Sequence, residues 1–324
     1  MVKLNSLQYP IVLDIDFTEK ITMQPLKDNT ILEEKIIKFS NTFGFEKLKT
    51  FKFDSSGILS ILFELKGRIL VSVGESEPIV DAAKKFQQLG FDIDFIPLTK
   101  EGRLDYEKIS KCDYVFCSAY IMDTYVKVDL NKVKELSTAK LISNISATIN
   151  PNISDLIILD AYKLTGYSID SILLYNEEFE DAFNSQISTV SIYQIEKAIE
   201  NKTVKNEYKK LFMETLNEEF NTNIFYFVNP NECLEYTLHF GLKGIKAREI
   251  IRTLALDSIF VTNGEGCSLG MSKPSRILQE MTYEEVESRW ALSLDFSVDL
   301  DEETIKKVVK TMGKKYRQII ALNS

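Results

Sequence analysis

The stretch ILVSVGESEPIVDAAKKFQQLGFDIDFIPL, residues 69–98, decides the fold class. Its apolar, β-branched ends predict strands at 69–73 and 92–98, and the segment between them has the apolar spacing of an amphipathic helix. Pro78 lies at the start of this helix and Gly90 just past its end, as is usual for these two residues. The pattern predicts a strand–helix–strand unit with parallel strands.

The same alternation continues through the first two thirds of the chain. Further strands are predicted at residues 114–119, 140–144, 156–160 and 171–176, and a further helix at 129–137. Strands that alternate with helices form mostly parallel sheets, because each helix carries the chain back to the edge where the next strand begins. This part of the sequence therefore predicts an α/β fold.

The pattern changes from about residue 186. We predict one long amphipathic helical stretch from Ser188 to Phe220, which leads into a mixture of strands and helices. The strands are predicted at 223–228, 236–242, 259–263 and 289–296, and the helices at 246–256 and 301–320. We expect a large domain over residues 15–205 and a small α+β domain made of residues 1–14 and 206–324.

Composition and charge disfavour several classes of function. The 324 residues are 44% apolar and 27% charged, which is the balance of an ordinary soluble globular protein. With 39 Lys and Arg against 48 Asp and Glu, the net charge of −9 disfavours binding to nucleic acids and to anionic membranes. No apolar run is long enough to cross a bilayer, and the start of the chain lacks the apolar core of a signal peptide.

Cysteine and histidine usage disfavours a metal site. The cysteines are Cys112, Cys117, Cys233 and Cys267, and none of them forms a CxxC pair. The single histidine, His239, lies on an alternating strand and is expected to be structural. We therefore expect no structural zinc site, and the thiols fit a reducing cytoplasm.

A lysine follows one of the predicted strands in LIILDAYKLTG, residues 156–166. Ligands of open α/β sheets bind beyond the carboxyl ends of the strands, where Lys163 would lie. A desolvated lysine in that place loses its proton near neutral pH and attacks an aldehyde. A solvated loop lysine is the commoner alternative, because Lys is mostly a surface residue.

A cysteine lies in a glycine-rich loop in VTNGEGCSLGMSKPSRIL, residues 261–278. Cys267 is surrounded by polar residues and glycines, whereas cysteines are normally buried. Such a thiol suits an exposed nucleophile on a mobile arm, and Lys273 and Arg276 favour its thiolate form. An ordinary loop cysteine is the alternative, while Cys112, Cys117 and Cys233 are expected to be packing residues.

A third feature is the serine pair in FKFDSSGILSILFEL, residues 51–65. A predicted strand leads through Ser55, Ser56 and Gly57 into an apolar helix. The backbone N–H groups at a helix N-terminus form a natural phosphate site, and plain capping of the helix by Ser is the alternative.

Taken in this order, the three segments resemble the cysteine desulfurases, pyridoxal-phosphate enzymes of the class V aminotransferase fold. Cys267 with Pro274 and Ser275 resembles the family's loop with the sulfur-accepting cysteine, and Lys163 resembles its Schiff-base lysine. Residues 54–57 resemble its phosphate-binding turn. The resemblance implies a type I fold with a mostly parallel central sheet covered by helices on both faces. It also implies bound pyridoxal phosphate and a homodimer.

The sequence departs from the family around the cofactor ring. Ser118 lies near the position of the histidine that stacks on the ring, and Ser143 and Ser146 lie where the family has an Asp and a Gln. By this resemblance all three are candidate cofactor-binding residues. A Ser in place of the Asp that faces the pyridine nitrogen makes the ring a weaker electron sink.

Other departures concern the phosphate and the substrate. Asp160 and Tyr162 replace the Ser and His that bind the phosphate in the family. Tyr162 is still a candidate phosphate ligand. A carboxylate at position 160 repels a phosphate dianion. Ala291 replaces the arginine that binds the substrate carboxylate. Arg289, two residues away and expected on the same strand face, is the candidate replacement.

The resemblance favours an enzyme that removes sulfur from L-cysteine, with pyridoxal phosphate on Lys163 and a persulfide on Cys267, giving alanine. A protein would then accept the sulfur. One alternative is a cofactor-free relative with a binding or regulatory role. Another is a different pyridoxal-phosphate reaction, such as amino transfer, in which Cys267 is idle.

Overall fold

The computed structural model describes residues 1–8, 30–150, 153–176, 187–264 and 273–323. The strands are β1 Val2–Lys3, β2 Lys47–Phe51, β3 Ile69–Ser72, β4 Ile93–Ile96, β5 Tyr114–Phe116, β6 Lys140–Asn144, β7 Leu156–Leu159, β8 Ser171–Tyr175, β9 Ile224–Phe225, β10 Thr237–Leu242, β11 Ile259–Phe260 and β12 Ala291–Asp295. The α-helices are α1 Thr30–Thr42, α2 Ser55–Glu64, α3 Glu77–Gln88, α4 Leu130–Ser137, α5 Ala161–Thr165, α6 Thr189–Glu200, α7 Tyr208–Phe220, α8 Ala247–Ala255, α9 Arg276–Glu280, α10 Glu285–Ser288 and α11 Glu302–Asn323.

A seven-stranded sheet, called here the large sheet, has the strand order β2-β8-β7-β6-β5-β3-β4. Strands β3 to β7 run parallel, and β8 is antiparallel to its neighbours β2 and β7. Side chains on alternate positions enter different cores: Val115 and Leu141 pack with α4, whereas Phe116 and Ile142 pack with α2 and α3. The sheet is therefore covered by helices on both faces, which confirms the predicted α/β architecture.

The C-terminal third forms a second, smaller sheet. This small sheet is antiparallel with the order β12-β10-β9, and β1 pairs in parallel with β11 beside it. Its core includes Phe212 from α7, Phe240 from β10 and Val309 from α11. The pairing of Val2–Lys3 with Ile259–Phe260 brings the start of the chain next to this third. The division into two domains at the predicted boundaries stays a prediction.

The long helical stretch predicted from Ser188 to Phe220 is wrong. The structure has two helices there, α6 and α7, separated by residues 201–207. The chain leaves the helical path because it binds the end of β12 instead: Lys205 N donates to Phe296 O at 2.8 Å, and Thr203 Oγ1 donates to Ser297 O at 2.9 Å. The break carries Lys202 towards the large sheet.

In the part of the chain that the structure describes, no helix combines the length and the apolar character that a membrane span requires.

Gly57 is expected to be needed for packing at the start of α2. A Cβ atom at this position would lie 1.8 Å from the Lys52 carbonyl oxygen, which belongs to the backbone leaving β2. Gly57→Ala should therefore lower the free energy of unfolding by about 1–3 kcal/mol, as other overpacking substitutions do. Urea denaturation measures this, with Ser56→Ala at the exposed neighbouring position as a control expected to stay within about 0.5 kcal/mol. Equal stability of the two variants would contradict the packing role.

Candidate functional site

The carboxyl ends of β5, β6 and β7 lie at one edge of the large sheet, because these strands are parallel. The turn after β5 contacts Ser293 of β12, and the segment after β6 contacts Tyr236, which directly precedes β10. Buried polar residues are concentrated there: Ser118, Asp123, Thr124, Asn144, Ser146, Asp160, His239, Asn263, Ser275, Ser293 and Asp295. Buried polar groups are costly, so a cluster at the expected ligand edge indicates a functional site.

Lys163 lies on α5, directly after β7. The Asp160 carboxylate caps this short helix by accepting from Tyr162 N at 3.0 Å and Lys163 N at 3.3 Å, and Gly166 ends it with φ 76°. The half-buried Lys163 extends towards the turn after β5, where its Nζ lies 3.2 Å from Met122 Sδ. Lys163 is therefore at the predicted edge of the sheet.

A cavity of about 190 Å³ opens beside Lys163. Its lining includes Leu7, Lys163, Leu164, Lys202, Tyr236 and Asp295. Burial lowers the pKa of the Lys202 amine to about 7, while Asp295 acts to raise this pKa and Lys163 to lower it. Burial raises the pKa of the Asp295 carboxyl to about 6, against the opposing effects of the Leu7 N–H and Lys202. Two amines and one carboxylate thus share a small, partly apolar space.

The turn around Asp123 joins the large and small sheets. The Asp123 carboxylate accepts from Ser275 Oγ at 2.9 Å, and its backbone carbonyl accepts from Ser293 Oγ at 2.9 Å. Gly264 lies directly against the same carboxylate, since a Cβ there would be 2.1 Å from Asp123 Oδ1. Gly264 is the last described residue before the segment that includes Cys267, so this turn contacts the chain directly before that segment.

His239 is a buried residue of β10. Its Nδ1 lies 2.9 Å from Ser293 Oγ, and burial lowers its pKa to about 3. The imidazole is therefore neutral at physiological pH. It packs against Phe227 with ring centroids 5.5 Å apart, and its buried Nε2 has no hydrogen-bond partner among the described residues.

Carboxylates cap the start of α2, where a phosphate site was predicted, and the start of α5, where Asp160 replaces a phosphate ligand of the family. At α2, Asp54 Oδ1 accepts from Ser56 N at 2.9 Å and from Gly57 N at 2.8 Å, while Ser55 Oγ accepts from Lys85 Nζ. At α5, Asp160 takes the corresponding N–H groups. An anion would have to displace a negative charge at either place.

The residues predicted around the cofactor ring are tied to the protein itself. Ser143 Oγ donates to Cys117 O at 2.6 Å, and Ser118 Oγ accepts from Asn144 N at 3.1 Å. The buried Nδ2 of Asn144 has no hydrogen-bond partner among the described residues. Asn144, next to the predicted cofactor-binding residue Ser143, thus has an amide NH₂ group at the end of β6 that is free to donate to a ligand.

Ser146 links the turn after β6 to α5. Its hydroxyl donates to Asn144 Oδ1 at 2.6 Å and accepts from Asp160 N at 2.6 Å, and its carbonyl accepts from Lys202 Nζ. Tyr162, on the other side of Asp160, is 42% exposed. Ser146 is therefore a structural link in this structure, and Tyr162 faces solvent.

The site fits the aldehyde end of pyridoxal phosphate but not its phosphate end. Lys163 borders a cavity and offers an amine for the cofactor's aldehyde. The phosphate end does not fit, because Asp54 and Asp160 occupy the N–H groups that a phosphate would need. The described residues thus form no phosphate cradle.

Arg289 does not lie on the strand. It is the C-cap of α10, with φ −85° and ψ −10°, and its Nη2 is 2.6 Å from Glu285 Oε1. The chain turns helically there because Arg289 N donates to Val286 O at 3.2 Å, and β12 begins only at Ala291. The prediction of a shared strand face is therefore wrong, and a substrate-binding role for Arg289 stays a prediction.

Cys117 and Cys233 are buried core residues, and the partly buried Cys112 packs against the same core. Burial raises the pKa of Cys112 to about 11 and that of Cys233 to about 12, and it raises the pKa of Cys117 well above its ordinary value. Cys267 lies outside the described residues, together with Gly266 and Gly270. Within the described ranges, no group of three His, Cys, Asp or Glu residues is placed to hold a metal ion.

Sequence reasoning missed Asp123, Lys202 and Asp295. A signal existed for Asp295, since alternation places Ala291, Ser293 and Asp295 on one buried face of β12, where a carboxylate is unusual. Lys202 gave no signal, because its segment was predicted to be helical and exposed. Asp123 is one acidic residue in a loop, which by itself is unremarkable.

Comparison with protein-family models and with curated proteins finds no match. Comparison with solved structures finds a NifS-like protein with a TM-score of 0.73, 14% sequence identity and 99% coverage of both chains. A NifS-like protein from Rickettsia africae ESF-5 has a TM-score of 0.71 at 15% identity, covering 98% of this chain and 99% of the other. SspA in complex with cysteine has a TM-score of 0.69 at 10% identity, covering 92% and 99%.

Such low identities show the fold alone. They confirm the predicted type I fold of pyridoxal-phosphate transferases, and this fold extends over nearly the whole chain. The reaction and the ligands of this protein do not follow from that similarity.

The thiols are expected to react with iodoacetamide at different rates in the native protein. Cys117 and Cys233 should be the slowest, because burial raises their pKa values and the reactive species is the thiolate. Cys267, in its polar loop sequence, should react fastest. Mass spectrometry of peptides over a time course at neutral pH measures this order, with the urea-unfolded chain as the control in which the rates converge. Faster labelling of Cys117 than of Cys267 in the folded chain would contradict it.

Proposed function

We propose that this protein is a cysteine desulfurase-like enzyme that removes sulfur from L-cysteine and yields alanine. Lys163 and Cys267 are its reactive residues. In the overall reaction the C–S bond of the substrate breaks, an S–S bond to Cys267 forms, and the substrate's β-carbon gains a proton. Atoms and electrons balance without an external oxidant.

One observation carries this proposal. Two adjacent residues of the turn after β5 contact Lys163 and Gly264, and Gly264 lies shortly before Cys267 in the chain. Met122 Sδ lies 3.2 Å from Lys163 Nζ, and Asp123 lies against Gly264. Cys267 follows Gly264 by three residues, a chain length of at most about 11 Å. This separation suits a thiol that must meet a substrate held near Lys163. The similarity to NifS-like structures over the whole chain supports the same reading.

Pyridoxal phosphate belongs to this proposal through Lys163, whose amine is the group that would hold its aldehyde. When bound, the cofactor supplies an electron sink for bonds at the substrate's Cα. The carboxylates of Asp54 and Asp160 oppose its phosphate. A homodimer and a protein that accepts the sulfur from Cys267 are further parts of the proposal.

The capped helix N-termini favour a second candidate function. A protein of this fold that has lost the cofactor would use its site for binding or regulation. The carboxylates at Asp54 and Asp160, which take the N–H groups of α2 and α5, are the specific observation behind this alternative.

Variants of the two reactive residues distinguish these functions. The wild type should release alanine from L-cysteine and gain the mass of one sulfur atom on Cys267. Cys267→Ser should lose the added sulfur but keep the visible spectrum with pyridoxal phosphate, whereas Lys163→Ala should lose attachment of the cofactor by borohydride. Mass spectrometry and absorbance measure these results, with Cys233→Ser as the thiol control. A bound cofactor without sulfur on Cys267 would refute the desulfurase, and a chain that binds no cofactor and releases no alanine would support the binding role.

Removing the charge of Asp160 should strengthen cofactor binding. Asp160→Ser keeps a good N-cap for α5, so the helix should still form in this variant. Loss of the repulsion should tighten pyridoxal-phosphate binding at least about tenfold, measured by absorbance titration.

Asp129→Ser is the matched control, because Asp129 also caps a helix, α4, by accepting from Lys132 N at 3.2 Å. This variant should leave the cofactor affinity unchanged. Equal affinities of Asp160→Ser and the wild type would show that the phosphate does not approach Asp160.

A further inference from the structure

Acidic and basic side chains both line the cavity beside Lys163. Lys202 Nζ donates to Ser146 O, which holds the amine at the end of the broken helical segment. Asp295 Oδ2 accepts from Leu7 N at 2.8 Å, and its Oδ1 accepts from Ser297 Oγ at 3.3 Å. Both groups are thus held in place by the protein before any ligand arrives.

These charged groups are unusual because of their surroundings. Asp295 is 1% exposed, and the cavity walls include the apolar side chains of Leu7, Leu164 and Val204. Charged groups are costly to bury, and proteins retain them chiefly where they act. Lys163 adds a second amine on the same cavity, so the site holds more positive than negative groups and favours a ligand with an anionic end.

The size of the cavity limits the ligand. A cavity of about 150 Å³ holds benzene, so the 190 Å³ here suits a molecule of similar size or slightly larger. A small zwitterion matches both this volume and the two signs of charge.

We propose that this cavity binds a small α-amino acid, with Lys202 holding its carboxylate and Asp295 its ammonium group. This inference rests on the proposed function, of which it names the substrate-binding residues. Lys202 would then replace the carboxylate-binding cation that is missing at Ala291, while Arg289 is paired with Glu285 outside the cavity lining.

Calorimetric titration of the full-length protein with L-alanine tests this proposal without requiring turnover. L-Alanine is the expected product and carries no sulfur, and propionate is the comparison ligand that lacks the ammonium group. The wild type should bind L-alanine with a dissociation constant in about the millimolar range or tighter, and propionate more weakly. Lys202→Met should weaken binding of both ligands at least about tenfold. Asp295→Asn should weaken L-alanine alone.

Lys197→Met is the matched control, because Lys197 is an exposed lysine of the neighbouring helix α6. It should leave both affinities unchanged. If Lys202→Met does not fold because Asp295 loses its partner charge, the double variant Lys202→Met/Asp295→Asn removes both charges and should bind neither ligand. Circular dichroism reports folding in each case.

The outcomes separate this inference from the proposed function. Equal L-alanine affinity in the wild type and Lys202→Met, no binding by the wild type, or propionate binding as tight as L-alanine would overturn the inference. Sulfur transfer to Cys267 together with any of these results would leave the desulfurase standing. L-Alanine binding that depends on Lys202 and Asp295, without alanine release from cysteine, would support the amino-acid site and refute the desulfurase.

Discussion

The candidate site depends on the hydrogen bonds of one buried residue, Asp123, where the two sheets meet. Asp123 has a left-handed backbone with φ 60°, a conformation that Asp tolerates better than most residues. Its carboxylate and carbonyl accept from Ser275 and Ser293, which belong to the C-terminal third of the chain. A buried carboxylate requires such partners, so these bonds fix the small sheet against the large one. Because Met122 and Asp123 are adjacent, the same constraint sets where Lys163 and Gly264 lie relative to each other.

Burial sets the protonation behaviour of the ionisable groups where the two sheets meet. Each of Lys202 and Asp295 has a pKa displaced towards neutrality by burial, so both can change protonation state near physiological pH. Lys163 lies close enough to influence Lys202. Burying two ionisable groups is costly, so they contribute little to the stability of the fold. Their presence beside a cavity is therefore better explained by binding than by folding.

The large sheet could be predicted from the sequence, because its strands are short, apolar and separated by amphipathic helices. Local pattern also located Lys163, since a strand followed by a short polar turn has a known place in an α/β sheet. The break after α6 could not be predicted in this way. It is caused by bonds from Thr203 and Lys205 to Ser297 and Phe296, which lie more than ninety residues away. Lys202 lies in that break and reaches the site because of it. Its position therefore depends on a long-range contact that the local sequence does not reveal.

The starts of α2 and α5 show why local sequence pattern cannot decide which ligand a helix N-terminus binds. The N–H groups at the start of α2 and α5 need a negatively charged or polar partner, and either a ligand phosphate or a capping side chain satisfies them. In this chain Asp54 and Asp160 are built in as those partners. A bound phosphate and a capping carboxylate are alternatives for the same donors, so a helix of this kind gains its cap at the expense of ligand affinity. The N–H groups of both helices are thus satisfied within the chain, and the groups left to meet a ligand are Lys163, Lys202 and Asp295 around the cavity that they line.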